Sequence, residues 1–288
     1  MGNYLFINPG SGSYDLRLVN EMIDRLESAS FPVKVFNVRT PADVSTCCRS
    51  IYENDDRPCI VVAAGDGTIN AVLNGLRPGT ATLGVLPLGT SNVLAAELGI
   101  HSLREGLEKI IRGTTRPLSI GVIEMQGAHH RFALMAGIGL DGAVVKEVRP
   151  WAKRLLKQGA FALSALKACL SWDALMLDVV TPQATVACHT VVICNASRYA
   201  GDFVLAPGRE IFFPGFTVAC VTGNRRRNYL GILFDLFRGK ADTNRHLVRL
   251  QATSIEILGE KSIQIDGDFI GHGRARLASV GGFARIIV

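Results

Sequence analysis

Apolar residues occur in short runs separated by polar turns, and the spacing of the runs changes near residue 118. Upstream of that point, runs of strand length alternate with stretches of helical spacing. Residues 4–7 predict a strand, 16–26 a helix, 33–38 a strand and 41–52 a helix, with Thr40 as N-cap and Pro41 at the first helical position. Residues 59–64 form an unbroken apolar run that predicts a buried strand. Gly65-Asp66-Gly67 and a helix over 68–76 follow it. A strand at 83–86 leads through Gly89-Thr90 into a helix ending near Glu97. Strand alternating with helix implies a parallel sheet covered by helices, with ligands bound outside the carboxyl ends of the strands.

Downstream the pattern is one of β segments: 118–125, 131–136, 174–180, 185–194, 217–221, 254–258 and 262–266. Helical patches at 152–172 and 228–238 interrupt them, and 284–288 reads as strand again. The expected organisation is an α/β domain over 1–118 and a β-rich domain over 119–279. A last strand near 280–288 would pack back on the first domain.

Three polar turns follow three predicted strands: Asn8-Pro9-Gly10-Ser11-Gly12, Gly65-Asp66-Gly67 and Leu88-Gly89-Thr90-Ser91-Asn92. Glycine lets the backbone approach a phosphate, and a helix starting at the turn adds N–H groups and positive dipole potential. Asp66 in such a turn could serve a nucleotide's magnesium, since hard cations take carboxylate oxygen, or it could be an ordinary cap. Near the far end, Asp266-Gly267-Asp268 places two carboxylates about a glycine. That run reads either as a hairpin turn or as acids aimed into one cleft.

These segments together resemble the diacylglycerol kinase catalytic-domain family, which includes bacterial diacylglycerol kinase-like enzymes, sphingosine kinases and ceramide kinases. The resemblance rests on Asn8-Pro9-x-Ser11-Gly12, Gly65-Asp66-Gly67-Thr68-x-Asn70 and Pro87-x-Gly89-Thr90-x-Asn92. It continues through Gly137-Ile138-Gly139-x-Asp141, Asn195 with Gly201 and Ala206-Pro207, and Asp266-Gly267-Asp268. NAD kinases are more distantly similar. The resemblance implies a parallel-sheet nucleotide-binding domain, a β-sandwich domain for the lipid, and a site in the cleft between them. By that likeness Asn8, Thr40, Gly65, Asp66, Gly67, Thr68, Ile69, Asn70, Ala71, Gly89, Thr90 and Asn92 would contact ATP. Asp66 would help organise Mg2+, and Asp268 would take the proton from the lipid hydroxyl.

Two departures from the family pattern matter. Asp268 stands where the family has glutamate, one methylene longer, and a misplaced base can cost on the order of 100-fold in rate. Around Phe212-Phe213-Pro214-Gly215-Phe216 there is no Asp-Gly pair of the kind tied to a structural magnesium, although Asp202 and Glu210 are near in sequence. A milder change puts Ala64 where the family has glycine.

Composition narrows the remaining choices. The chain has 288 residues, 48% hydrophobic and 19% charged, which suits two domains with real cores and excludes a disordered chain. Net charge is +6, which fits an anionic partner without naming it. Seven cysteines lack any C-x-x-C pair, so neither a zinc site nor a disulfide framework is expected, and a reducing compartment is. The start of the chain does not read as a signal peptide, and no apolar run is long enough to span a bilayer.

Basic residues cluster beside apolar helical stretches at Lys146, Arg149, Lys153, Arg154 and Lys157 around Trp151, and again at Arg225-Arg226-Arg227. Such patches suit peripheral docking on anionic membranes, or else are solvated ends of packed helices. No nucleic-acid module is visible. The histidines show no metal spacing, and His129-His130 is expected on a hairpin loop. The reading is an ATP- and Mg2+-dependent lipid hydroxyl kinase, cytoplasmic and transiently at the membrane surface. An exposed strand edge could pair two copies. The alternatives are an NAD kinase-like phosphotransferase on a soluble substrate and a catalytically weak lipid- or nucleotide-binding protein.

Overall fold

A computed structural model describes residues 2–147, 173–199, 203–237 and 244–288. The expected helix at 152–172, with its basic cluster from Arg149 to Lys157, lies outside the described residues, as do Gly201 and Asp202. The chain divides into two compact units, Met1–Ser119 with Gly281–Val288, and Ile120–Val280.

The first unit runs β1 (Asn3–Ile7), α1 (Leu16–Ser28), β2 (Lys34–Asn37), α2 (Pro41–Tyr52), β3 (Cys59–Ala64), α3 (Asp66–Gly75), β4 (Thr82–Pro87), α4 (Val93–Glu97) and α5 (Leu103–Arg112). Strand order is β2-β1-β3-β4, all parallel, and Arg285 and Ile286 at the chain's end pair parallel with Thr82 and Leu83 of β4. Every residue of β3 is buried, which is why its sequence is apolar without alternation. Thr40 and Asp43 form a reciprocal capping box at α2. The helix α5 was not expected. Its signal is a Ser102 cap that accepts from the Glu105 N–H, followed by Gly113 in the left-handed conformation just past its end.

The second unit is mostly antiparallel. It contains most of β5 (Thr115–Met125), then β6 (Ala128–Phe132), β7 (Met135–Ile138), α6 (Leu140–Glu147), β8 (Leu177–Val180), β9 (Thr185–Cys188), β10 (Thr190–Cys194), β11 (Arg198–Tyr199) and β12 (Phe203–Val204). It continues with β13 (Phe216–Val221), α7 (Arg226–Phe237), β14 (Leu247–Ala252), β15 (Ser254–Ile265) and β16, which spans Asp268–Ile287 and ends in the first unit. The order β14-β13-β10-β7-β15-β16 is antiparallel throughout. The long strand β15 pairs with β8 near its start and with β7 at its end, so it serves two groups of strands. Both groups face one core, where Phe132 and Phe216 stack with ring centroids 5.8 Å apart.

Several boundaries differ from the sequence expectation. The run 131–136 is two strands, broken where Ala133 and Leu134 turn their N–H groups to Asp266. The run 185–194 breaks at the buried His189. The segments 254–258 and 262–266 are one strand, with a register shift between Ile257 and Lys261 and Gly259 at φ 146°. His129 and His130 are not in a loop. They pair with Glu124 and Ile123 within the hairpin, whose turn is Gln126-Gly127 at φ 50° and 79°.

Candidate active site

In the first unit, parallel strands deliver the three glycine turns to one sheet edge, and short contacts tie them together. A Cβ on Gly65 would stand 3.1 Å from the Gly89 Cα, and one on Gly89 would overlap the Gly65 backbone. A Cβ on Gly12 would stand 2.8 Å from Thr90 Oγ1. Asn8 Nδ2 donates to Thr68 Oγ1 at 3.0 Å, and the Ser13 N–H donates to the Leu88 carbonyl at 3.0 Å. The three turns therefore form one surface of backbone, tight at Gly65 and with no room for a side chain at Gly89.

Asp66 holds this surface in place. It is the first residue of α3, whose N-cap is Gly65, so α3 starts two residues earlier than the expected 68. The Asp66 carboxylate accepts from the Val93 N–H at 3.0 Å and the Leu94 N–H at 3.1 Å. It thus caps α4, the helix after the next strand, rather than its own. Burial pushes its pKa up, and the hydrogen bonds from Leu94 and Val93 pull against that shift. Asn92 sits in the left-handed conformation at φ 47°. Its side chain closes the Gly89 turn by accepting from the Gly89 N–H at 2.8 Å and donating to the Gly89 carbonyl at 3.0 Å.

The remaining expected contacts divide. Gly67 and Thr90 are exposed at the turns, and Thr68 is half-buried. Ile69 is not placed for side-chain contact with a ligand: it is 2% exposed in the core, and its N–H donates to Gly65. Asn70 accepts from Asn74 one helical turn on, and Ala71 is half-buried on α3. Thr40 follows β2, and its hydroxyl accepts from the Asp43 N–H at 3.2 Å. Among the described residues, no three His, Cys, Asp or Glu side chains cluster as a metal site.

In the second unit, Asp266 and Asp268 have separate duties, so the reading of two carboxylates aimed together is corrected. Asp266 at φ 46° and Gly267 at φ 85° form the two-residue hairpin turn between β15 and β16. The Asp266 carboxylate accepts from three backbone N–H groups, those of Ala133 at 2.8 Å and of Leu134 and Met135 at 2.9 Å. The Asp266 N–H donates back to the Met135 carbonyl at 3.0 Å. Asn195, fully buried, donates to the Ala133 carbonyl at 2.6 Å. Two motifs far apart in sequence therefore grip the same segment, 133–135. Asp268 opens β16 opposite Ile265 and is exposed.

A further polar group in this unit had gone unassigned. Asp141 accepts from the Tyr199 hydroxyl and, at 2.6 Å, from Gln264 Nε2, and its carboxylate lies where a Cβ on Gly137 would be. Burial raises the Asp141 pKa. Gly137 makes room for this packed carboxylate, while Gly139, at φ 101°, passes close to the His189 carbonyl.

Residues 3–123 match the diacylglycerol kinase catalytic domain. Over 280 residues the chain is 25% identical to a diacylglycerol kinase of Bacillus subtilis, covering 93% of this chain and 89% of that one. It is 30% identical over 122 residues to a diacylglycerol kinase of Staphylococcus saprophyticus, covering 41% of this chain and 39% of the other. A solved structure from Bacillus anthracis, described as that of a diacylglycerol kinase, superposes with a TM-score of 0.72 at 17% identity, covering 99% of this chain and 96% of the other.

Proposed function

We propose that the chain, whose residues 3–123 match the diacylglycerol kinase catalytic domain, is a lipid kinase of that family and transfers the γ-phosphoryl group of ATP to the hydroxyl of a membrane lipid. Diacylglycerols and long-chain bases are the acceptor classes that suit it. The observation that carries this reading is the approach of Gly65 to Gly89, which leaves a side-chain-free backbone surface beside the start of α3. Such a surface suits phosphate oxygens, because N–H groups and the helix dipole both favour negative charge there.

In the proposed reaction the lipid hydroxyl oxygen forms a bond to the γ-phosphorus, and the bond from that phosphorus to the bridging oxygen breaks, leaving ADP. The hydroxyl proton passes to the Asp268 carboxylate. Phosphoryl transfer asks mainly for alignment and charge stabilisation, so a single positioned carboxylate is enough covalent help. Asp266 acts as a positioning residue: by fixing the hairpin to 133–135 it sets where Asp268 points.

Magnesium fits as a passenger of the nucleotide rather than as a resident of a protein cage. Each Asp66 oxygen already accepts one N–H, leaving one lone pair on each oxygen for a ligand. Bound there, the ion would neutralise charge developing on the phosphates.

Among the described residues no helix is long and apolar enough to cross a membrane. The acceptor lies in a bilayer, so the proposal includes transient contact with its surface, on the ATP-bearing cytoplasmic side. The test is transfer of label from γ-labelled ATP to a lipid extract. Wild type should label lipid, and Asp268→Asn should label it about 1000-fold more slowly. Lipid left unlabelled by a protein that still binds ATP would reject the kinase reading. It would favour a lipid- or nucleotide-binding role, for which the short Asp268 side chain is the motivating observation.

A further inference from the structure

The second unit carries a recess of about 580 Å³ at the start of α7, built around the Arg225-Arg226-Arg227 run and apart in sequence from the residues of the proposed reaction. Arg225, Arg227 and Arg245 line it, with His246 and Asn228. Among the described residues no carboxylate lines it and none of the three arginines is in an ion pair. All three are exposed. Arg245 Nε donates to His246 Nε2 at 3.2 Å, which orients its guanidinium. Asn244, also on the wall, donates to Asp235 at 2.7 Å, so the nearby acid is already engaged. Three uncompensated guanidinium groups around one concavity are a site for an anion, and their planar forks suit phosphate oxygens.

The surroundings say which kind of phosphate. Asn224 Nδ2 donates to the Ala174 carbonyl at 3.4 Å, which brings the segment after Ala174 to the rim. That segment offers Leu175, 66% exposed, and Met176, 40% exposed, and one turn along α7 Leu230 is 68% exposed. Large apolar side chains standing in water beside a cluster of arginines do not suit a soluble anion. They suit a bilayer interface, where the leucines enter the acyl boundary and the arginines meet headgroups. We propose that this recess binds the phosphate of an anionic lipid headgroup, with Leu175, Met176 and Leu230 inserted beside it, and so seats the second unit on an anionic membrane. The proposal does not rest on the kinase reading, because its readout is binding without nucleotide.

The test is flotation of the full chain with vesicles of phosphatidylcholine alone and of phosphatidylcholine mixed with phosphatidylglycerol. Wild type should float with the mixed vesicles only. The triple variant R225A/R227A/R245A should lose on the order of 100-fold in vesicle affinity, at roughly fivefold for each arginine near an anionic surface. A triple of equal charge change that spares the recess, R49A/R57A/R112A, should lose less than about threefold, since exposed charges that share no concavity are screened. Equal losses in the two triples would overturn the site and leave only general charge attraction. Leu175→Ser with Leu230→Ser should weaken vesicle flotation while leaving any affinity for glycerol 3-phosphate unchanged. Wild-type binding to glycerol 3-phosphate without vesicle flotation would overturn the lipid assignment in favour of a free phosphate. Displacement of vesicles by an oligonucleotide that needs the same arginines would overturn it in favour of nucleic acid.

Discussion

Asp66 at the start of α3 and Asp266 in a hairpin turn each precede a glycine, and each gives its carboxylate to backbone N–H groups of another segment, yet the two regions are built on different scales. Asp66 reaches partners 27 and 28 residues away within the α/β unit, from the end of one strand to the helix after the next. Asp266 reaches partners 131 to 133 residues away, joining the last hairpin of the second unit to one of its first loops. In both regions the carboxylate is engaged by backbone N–H groups, and in the proposed reaction it is the neighbour that carries the chemistry: the turn at Gly67 and Thr68 in one, Asp268 in the other. An acid inside a motif is thus not automatically the acid that reacts. What the two share is fixation of a loop by charge-assisted bonds, which are stronger than neutral ones.

The comparison breaks most visibly at Asp266. Asp266→Ala leaves three N–H donors without their acceptor and should lower unfolding free energy by about 3 kcal/mol, at roughly 1 kcal/mol for each lost bond. Urea unfolding measures this. Because the loss also frees the hairpin, activity under folding conditions should fall with it. A variant with wild-type stability would show that the hairpin turn alone, Asp266-Gly267 at positive φ, sets the strand register. In the α/β unit the matching probe is Gly89→Ala. Its added methyl would overlap the Gly65 backbone, so one turn must move. A shift of about an ångström there should reduce kcat/KM on the order of 100-fold through weaker ATP alignment, while stability changes by under about 2 kcal/mol. If Gly89→Ala retains ATP affinity and rate, the two turns do not hold phosphate.

The two regions also differ in how much of them the sequence disclosed. The α/β unit was legible because its signals are local. The all-apolar Cys59–Ala64 matched the observed strand, and Thr40 with Pro41 announced α2. Its three turns could be placed at one edge because parallel strands leave no other choice. The omission there, α5, had a cap signal that went unread. In the second unit many strands are visible as apolar runs, but β14, most of β16 and the breaks within the runs are not. Nothing near Ala133 signals that its N–H will meet a carboxylate 133 residues away. The same holds for Asp141, whose partners Tyr199 and Gln264 come from separate segments. His189, buried between the Asp173 carbonyl at 2.8 Å and the Tyr229 hydroxyl at 2.6 Å, could not be anticipated from spacing. The Asp-Gly turn was the exception, because its conformation is local even though its contacts are not.

The smallest expected effect is the most diagnostic of how Asp66 is held. Its carboxyl is kept above the ordinary value of 3.8 because burial penalises the charge by more than the Leu94 and Val93 bonds repay. The folded chain therefore keeps a proton on Asp66 at a pH where the unfolded chain has released it. That contribution to stability is fully present below 3.8 and is lost as pH rises through the folded value. Asp66→Asn removes the titration. The stability of wild type relative to this variant should decline as pH rises above 3.8, read from urea midpoints. Asp43 supplies the control of opposite sign. Hydrogen bonds from the Arg39 and Thr40 N–H groups hold its carboxyl below the ordinary value, so wild type relative to Asp43→Asn should weaken as pH falls below 3.8. Parallel slopes for the two variants would mean that Asp66 is solvated like a surface cap, and that the turns it joins are held by the glycine contact alone.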